Sequence, residues 1–257
     1  MLKHAYIKWV FLLAIPLLLV VFWIDFMSIY YLIFALLLWL GVTTWASFDI
    51  RLNYFIKAHS SNLKVDENQI ALTFDDGPTE CTPLILDLLA KHQQKATFFC
   101  IGKQVEKYPE IAKRIVSDGH LIANHTFTHT TRMGFLSKKE VQSEIASTQQ
   151  IIEEITTKTP HLFRPPFGVT NPNIAWGCKQ NRVEVIGWNI RSLDTVIDSE
   201  EKILNRILPR LSKGSIVLLH DTSQKSVNVL ERLLHVMNEK NLQSVTVDEL
   251  LKIKAYK

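Results

Sequence analysis

Two long apolar stretches open the chain, Trp9 to Ile24 and Phe26 to Trp45, with the single charge of Asp25 between them. At about 1.5 Å per helical residue the second run covers roughly 30 Å, the thickness of a bilayer core. The first is shorter and contains Pro16. Trp23, Tyr30, Tyr31, Trp39 and Trp45 supply aromatic side chains, several of them near the ends of the runs, where membrane interfaces favour them. A signal peptide flanked by Lys3 and Lys8 is the competing reading of the first run, but no small-x-small cleavage site follows Ile24. The pattern therefore predicts a transmembrane hairpin turning near Asp25 to Ser28. Residues 1–48 read as a membrane anchor, 49–66 as a connecting segment and 67–257 as one folded unit.

Beyond the anchor the period changes. Short apolar or β-branched runs read as strands at Gln69 to Phe74, Ala96 to Ile101, His120 to Ala123, Leu162 to Arg164, Val183 to Trp188, Ser215 to Leu219 and Ser244 to Val247. Amphipathic stretches lie between them, at Thr82 to His92, Pro109 to Asp118, Ser137 to Thr157, Ser199 to Leu211 and Ser226 to Asn241. Strands alternating with helices predict a parallel sheet of α/β class, and about seven strands in this length predict a closed or nearly closed barrel. An open doubly wound sheet is the alternative. Five polar segments favour the barrel, because each follows a strand-like run, where that fold gathers its chemistry. They are Thr73 to Pro78, His125 to His129, Arg164 to Gly168, Trp188 to Asp194 and Leu218 to Asp221.

Composition narrows the function. The net charge of +4 is spread through intermixed acidic and basic residues, and no Lys/Arg run suggests nucleic acid binding. Cys81, Cys100 and Cys178 lack CxxC spacing, so neither a disulfide framework nor a zinc knuckle is expected. A glycine-rich phosphate loop and a nucleophile elbow are both absent from the sequence. What the five segments do hold is suited to metal-assisted hydrolysis. His125 and His129 stand four apart, so in a helical turn they would share one face and hold one ion, with Asp76 able to complete the set. Two imidazoles and a carboxylate leave a position open for water, the arrangement of a hydrolytic metal site.

The segments Phe74-Asp75-Asp76-Gly77-Pro78, His125-Thr126-Phe127-Thr128-His129, Arg164-Pro165-Pro166-Phe167-Gly168 and Leu218-Leu219-His220-Asp221 resemble, in type and order, the motifs of the polysaccharide deacetylase family. That family is also called the NodB-homology domain or carbohydrate esterase family 4, and the resemblance covers roughly residues 67 to 250. It implies a distorted (β/α) barrel, a divalent metal, usually zinc with cobalt or nickel as alternatives, and hydrolysis of an acetyl group on a sugar. By the resemblance Asp75 is the general base, Asp76, His125 and His129 are the metal ligands, and Arg164 pairs with the base. His220 is the general acid and Asp194 the carboxylate that tunes it. Phe167 stands where the family often has Tyr and would stabilise an oxyanion through its backbone N–H, while Trp188 and Leu218 would wall the acetyl pocket. The fourth segment departs from the pattern: the family commonly has Asp-x-x-Asp-Trp, and here the chain reads Arg191-Ser192-Leu193-Asp194-Thr195.

The expected protein is thus a membrane-bound, metal-dependent deacetylase of an amino-sugar glycan such as peptidoglycan or a chitin-type polymer. The alternatives are an O-acetyl esterase on xylan-like polymers, a deacetylase or deformylase of a lipid-linked sugar, and an inactive glycan-binding barrel. Lys3, Lys8, Arg51 and Lys57 flank the two apolar runs, so a hairpin obeying the positive-inside rule puts the folded unit in the cytoplasm. Family precedent on wall polymers favours the outer face instead.

Overall fold

The computed structural model describes residues 3–24 and 28–257. Two apolar helices come first, α1 (His4–Ile24) with Pro16 inside it and α2 (Ser28–Phe48). They pack side by side, the Phe11 and Trp39 rings 5.8 Å apart, and the start of α1 reaches past α2 to the segment beyond, where the His4 N–H donates to Tyr54 O at 3.0 Å. Residues 25–27, where the sequence predicts most of the hairpin turn, lie outside the described residues. Among the described residues one segment, Ile29–Phe48, is long and apolar enough to cross a membrane, and the apolar part of α1, His4–Val20, is shorter.

The rest is a wholly parallel sheet wrapped in helices. Its strands are β1 (Ala58–His59), β2 (Gln69–Asp75), β3 (Ala96–Cys100), β4 (Leu121–Asn124), β5 (Leu162–Phe163), β6 (Glu184–Ile186), β7 (Ile190–Arg191), β8 (Ile216–His220) and β9 (Gln243–Ser244). They lie in the order β1-β6-β5-β4-β3-β2-β8-β7, with β9 against the start of β2. The helices between them are α3 (Thr82–Lys91), α4 (Gly102–Lys107), α5 (Pro109–Ser117), α6 (Lys138–Thr156), α7 (Pro172–Gln180), α8 (Glu200–Ile207), α9 (Gln224–Glu239) and α10 (Val247–Leu251).

This sheet cannot be flat. Six strand spacings separate β6 from β7, about 29 Å at roughly 4.8 Å each. Yet Ile186 and Ile190 are joined by only four peptide steps, which reach at most about 14 Å. The sheet therefore curls until its ends approach, giving the expected distorted (β/α) barrel, open where β1 and β7 do not pair.

Alternation along the strands sorts chemistry from packing, because successive side chains face opposite sides. On β2, Ile70, Leu72 and Phe74 join the apolar layer beneath the helices, with Phe74 and Phe98 stacked 5.1 Å apart, while Thr73 and Asp75 face inward. On β8, Val217 and Leu219 face the helices and Ile216 and Leu218 belong to the inner layer, which puts His220 on the inner side. Each large side chain buried this way contributes about 1.5–3 kcal/mol, which fixes the register. That register sets Asp75 directly beside His220.

Some expectations need correction. Val245 to Val247 is not strand: the Thr246–Glu249 capping box starts α10 there, and Glu249 satisfying the Thr246 N–H outweighs β-branched propensity. Cys100 and Cys178 are buried free thiols, and Cys81 is a half-buried one.

Candidate active site

All ten residues singled out from the sequence lie at the carboxyl ends of the inner strands or in the loops just beyond them. Asp75, Asp76, His125, His129, Phe167, Trp188, Leu218 and His220 line one cavity of about 150 Å³. Arg164 lies beneath it and Asp194 behind His220.

Arg164 is wholly buried at the centre of the barrel. Its Nη1 donates to Asp75 Oδ1 at 2.7 Å and to Thr73 Oγ1 at 2.8 Å, Nε to Ile186 O at 3.2 Å, and Nη2 to Gly187 O at 2.9 Å. The guanidinium also lies 4.0 Å from the centre of the Phe99 ring. One oxygen of Asp75 is thereby occupied and the other is left facing the cavity, 3.8 Å from His125 Nε2.

Asp76 has the left-handed φ of 74°, which turns its carboxylate away from the strand and toward the histidines. Its Oδ1 lies 3.4 Å from His125 Nε2, 3.2 Å from His129 Nε2, and its Oδ2 3.9 Å from His220 Nε2. Burial disfavours its charge, but His125, His129 and His220 outweigh that and hold the carboxyl down to about 2. The histidine segment is not the helical turn that its spacing suggested. His125 to His129 is an irregular loop in which Thr126 and His129 take φ of 67° and 49°, and it is this reversal that brings the two rings to 4.9 Å. Glu144 of α6 braces the loop, accepting from Phe127 N at 2.9 Å, Thr128 N at 2.8 Å and Thr128 Oγ1 at 2.8 Å. His125 Nδ1 lies 2.8 Å from Arg164 O, and since a carbonyl only accepts, Nδ1 carries the proton and Nε2 is free to ligate.

These three residues fit a divalent cation. One ligand atom from each of Asp76, His125 and His129 lies within 4.8 Å of the others. Among the described residues Asp76 Oδ1 is buried without a well-formed hydrogen bond, an acceptor that a bound cation would satisfy. Two imidazoles and a carboxylate are donors suited to zinc and its neighbours.

On the opposite side, His220 Nδ1 meets Asp194 Oδ1 at 2.7 Å, and the His220 N–H donates to Asp194 Oδ2 at 2.8 Å. Burial works against the imidazolium, but Asp194 prevails and raises His220 to about 9. Asp194 itself also accepts from Ser192 Oγ at 2.7 Å and Ser226 Oγ at 3.1 Å.

The loop after β5 turns through Phe167 at φ 60°. Its hydrogen bonds run from Gly168 N to Pro165 O and Val169 N to Pro166 O, so that among the described residues the Phe167 N–H has no acceptor. Gly168, at φ 71°, packs on Trp188, and a methyl group there would lie 2.5 Å from Trp188 Cη2.

Thr73, Glu144 and Ser226 were not singled out from the sequence. Each sits inside a strand or helix pattern that explains it as packing, and only Thr73, the first residue of the Thr73 to Pro78 segment, had a nearby signal. Asp221 closes the Leu218 to Asp221 segment but had no role of its own in the sequence reading. It is buried below Gly77, its Oδ2 accepts from Thr82 Oγ1 at 2.5 Å, and burial raises it to about 7.

Comparison with known proteins follows the same segments. Residues 62–186 match the family model described as polysaccharide deacetylase. A peptidoglycan-N-acetylglucosamine deacetylase of Bacillus cereus is 36% identical over 185 residues, 70% of this chain and 66% of that protein. A peptidoglycan-N-acetylmuramic acid deacetylase of Bacillus subtilis is 35% identical over 193 residues, 74% of this chain and 40% of that protein. The chain thus spans about two thirds and two fifths of the lengths of these relatives. Among solved structures, a peptidoglycan N-acetylglucosamine deacetylase superposes with a TM-score of 0.71 at 32% identity, covering 77% of this chain and 94% of that one.

Proposed function

We propose, on the premise that this chain belongs to the polysaccharide deacetylase family, that it is a metal-dependent hydrolase removing N-acetyl groups from an amino-sugar glycan, with peptidoglycan and chitin-type N-acetylglucosamine as the leading substrates. The observation that carries this reading is the convergence in one cavity of a carboxylate–guanidinium pair, a two-imidazole, one-carboxylate donor set and a carboxylate-bound imidazole. A glycan-binding barrel needs none of these pairings.

Asp76, His125 and His129 would hold the cation, which when bound supplies Lewis acidity and a lowered pKa for water. Asp75 takes the proton of the attacking water through its free Oδ2, and Arg164 holds the other oxygen and fixes the rotamer. The Phe167 N–H donates to the carbonyl oxygen as negative charge develops on it. Trp188 and Leu218 enclose the methyl of the acetyl group and exclude water. His220 delivers a proton from Nε2 to the departing nitrogen, while Asp194 holds Nδ1 and keeps the ring protonated at neutral pH. Arg191 and Thr195, in place of the acid and tryptophan usual in the family, also line the cavity and would set which sugar is accepted.

We assign residues 1–48 as a membrane anchor carried at least by Ile29–Phe48, and 67–257 as the catalytic domain. The flanking lysines and arginine favour a cytoplasmic domain if both helices cross. The test is acetate release by the zinc-loaded full chain from N-acetylated and O-acetylated glycans. Release from N-acetylated glycans alone supports the reading, and release from O-acetylated xylan alone overturns it in favour of an esterase.

A further inference from the structure

Beside the catalytic cavity lies a second one, of about 350 Å³, walled by Trp45, Phe48, Arg51, Arg191, Arg206 and Arg210. Trp188 and Arg191 belong to both cavities. Trp45 and Phe48 are in the last turn of α2, so the second cavity sits where the apolar span meets the folded domain, both rings more than half exposed.

Its charge is one-sided. Arg51 is neutralised by Asp49, with Nη2 to Oδ2 at 2.7 Å and Nε to Oδ1 at 2.8 Å. Among the described residues the other arginines with a carboxylate within 4 Å are Arg114, Arg164 and Arg232, so Arg191, Arg206 and Arg210 have none. Among the described residues the Nε of Arg206 is buried with no hydrogen-bond partner. Three uncompensated guanidiniums around one cavity repel each other, and a buried unpaired donor adds a desolvation cost. An anion in the cavity relieves both. Guanidinium forks match the oxygens of phosphate, which they bind two at a time. Arg191 carries the same sign into the catalytic cavity, at a position where the family pattern usually has an acid, so a sugar bound there would meet positive charge on the side nearer α2.

We propose that Arg191, Arg206 and Arg210 form an anion subsite for the phosphate of a sugar joined through that phosphate to a lipid, so that among N-acetylated amino sugars the enzyme works on a membrane-borne sugar phosphate in preference to a mature neutral polymer. The proposal rests on the deacetylase reading and specifies its substrate class. Trp45 and Phe48 at the bilayer edge are where the lipid of such a substrate would emerge.

The test uses the full chain, zinc-loaded, in nanodiscs of zwitterionic phosphatidylcholine. Acetate release is compared for farnesyl-phosphoryl-N-acetylglucosamine, soluble N-acetylglucosamine 1-phosphate and neutral tri-N-acetylchitotriose, in the wild type and in R206Q/R210Q, and farnesyl phosphate binding is measured by calorimetry. The expected result is a kcat/KM at least ten-fold higher for the lipid-linked phosphate than for the trisaccharide. In R206Q/R210Q that ratio collapses and farnesyl phosphate binding weakens at least ten-fold, while R206K/R210K keeps much of both. An equal advantage for the soluble phosphate overturns the lipid assignment. Unchanged farnesyl phosphate binding in R206Q/R210Q overturns the anion subsite, whatever the turnover. Inactivity on all three substrates overturns the deacetylase reading itself, and the calorimetry then still decides the subsite.

Discussion

Replacing Arg164 by methionine removes a side chain that ties β2, β5 and β6 together inside the barrel. Methionine matches its apolar length, so packing on Phe99 largely survives and what is lost is charge and hydrogen bonding. Asp75, 4% exposed, is left as a buried carboxylate without its counterion, and the Ile186 and Gly187 carbonyls lose their donor. Breaking a buried pair from one side costs about 3–5 kcal/mol, and the carbonyls add roughly 1 kcal/mol. At about 2–4 °C per kcal/mol for a domain of this size, the melting temperature should drop by roughly 10–20 °C. Most of this is the stranded charge, so Asp75→Asn in the same chain should restore about 2–3 kcal/mol. Thermal unfolding of R164M, D75N and R164M/D75N, followed by tryptophan fluorescence in detergent, gives the coupling directly. Additive losses in the double variant would refute the reasoning, because they would mean that the two side chains are not energetically coupled.

Four further outcomes follow from the geometry. His125→Ala/His129→Ala should lose the bound divalent ion by elemental analysis, and chelation should lower the melting temperature of the wild type but not of this variant. Asp75→Asn and His220→Ala should each lower turnover by roughly two to four orders of magnitude, with metal still present in His220→Ala. Glu144→Ala should weaken zinc binding by about 10–100-fold in a competition titration while the fold persists, since it removes the acceptor for three donors of the histidine loop. His120 is held down to about 4, by burial first and Lys95 second, with Nδ1 accepting from Ala96 N at 3.2 Å. Its contribution is therefore complete above about pH 6.5 and is lost as pH falls toward 4, by up to about 3 kcal/mol. His120→Gln should be flatter than wild type across that window in urea titrations, and identical slopes would contradict the assignment.

Strands β2, β3 and β8 were legible because they are unbroken apolar runs ended by polar residues, the signature of parallel strands buried on both faces. The two-residue strands β1 and β7 were not, since Ala58-His59 and Ile190-Arg191 carry no periodicity and exist only because the curled sheet offers them an edge. The helical reading of His125 to His129 failed for a local reason: Asn124 Oδ1 caps Thr126 N at 2.9 Å and Glu144 takes the next two N–H groups, so the backbone bonds to side chains instead of to itself. Site residues with distinctive neighbours, such as Asp75-Asp76 or His220-Asp221, were found. Those whose role depends on a distant partner, Glu144 and Ser226 above all, look like ordinary helix positions until the fold is assembled.

The pairing of Asp75 with His220 across β2 and β8 joins residues about 145 positions apart in the chain. At a synthesis rate of about 5–20 residues per second, roughly 7 to 30 s pass between the appearance of one and of the other. By then the apolar amino end has long left the ribosome, and if it anchors the chain it can already lie in the bilayer. For that interval β2 has β3 on one side and nothing on the other, a bare edge able to pair with a neighbouring nascent chain. If residues 1–48 hold such chains to a membrane, their encounters are confined to two dimensions and become more frequent, which favours mispairing at that edge.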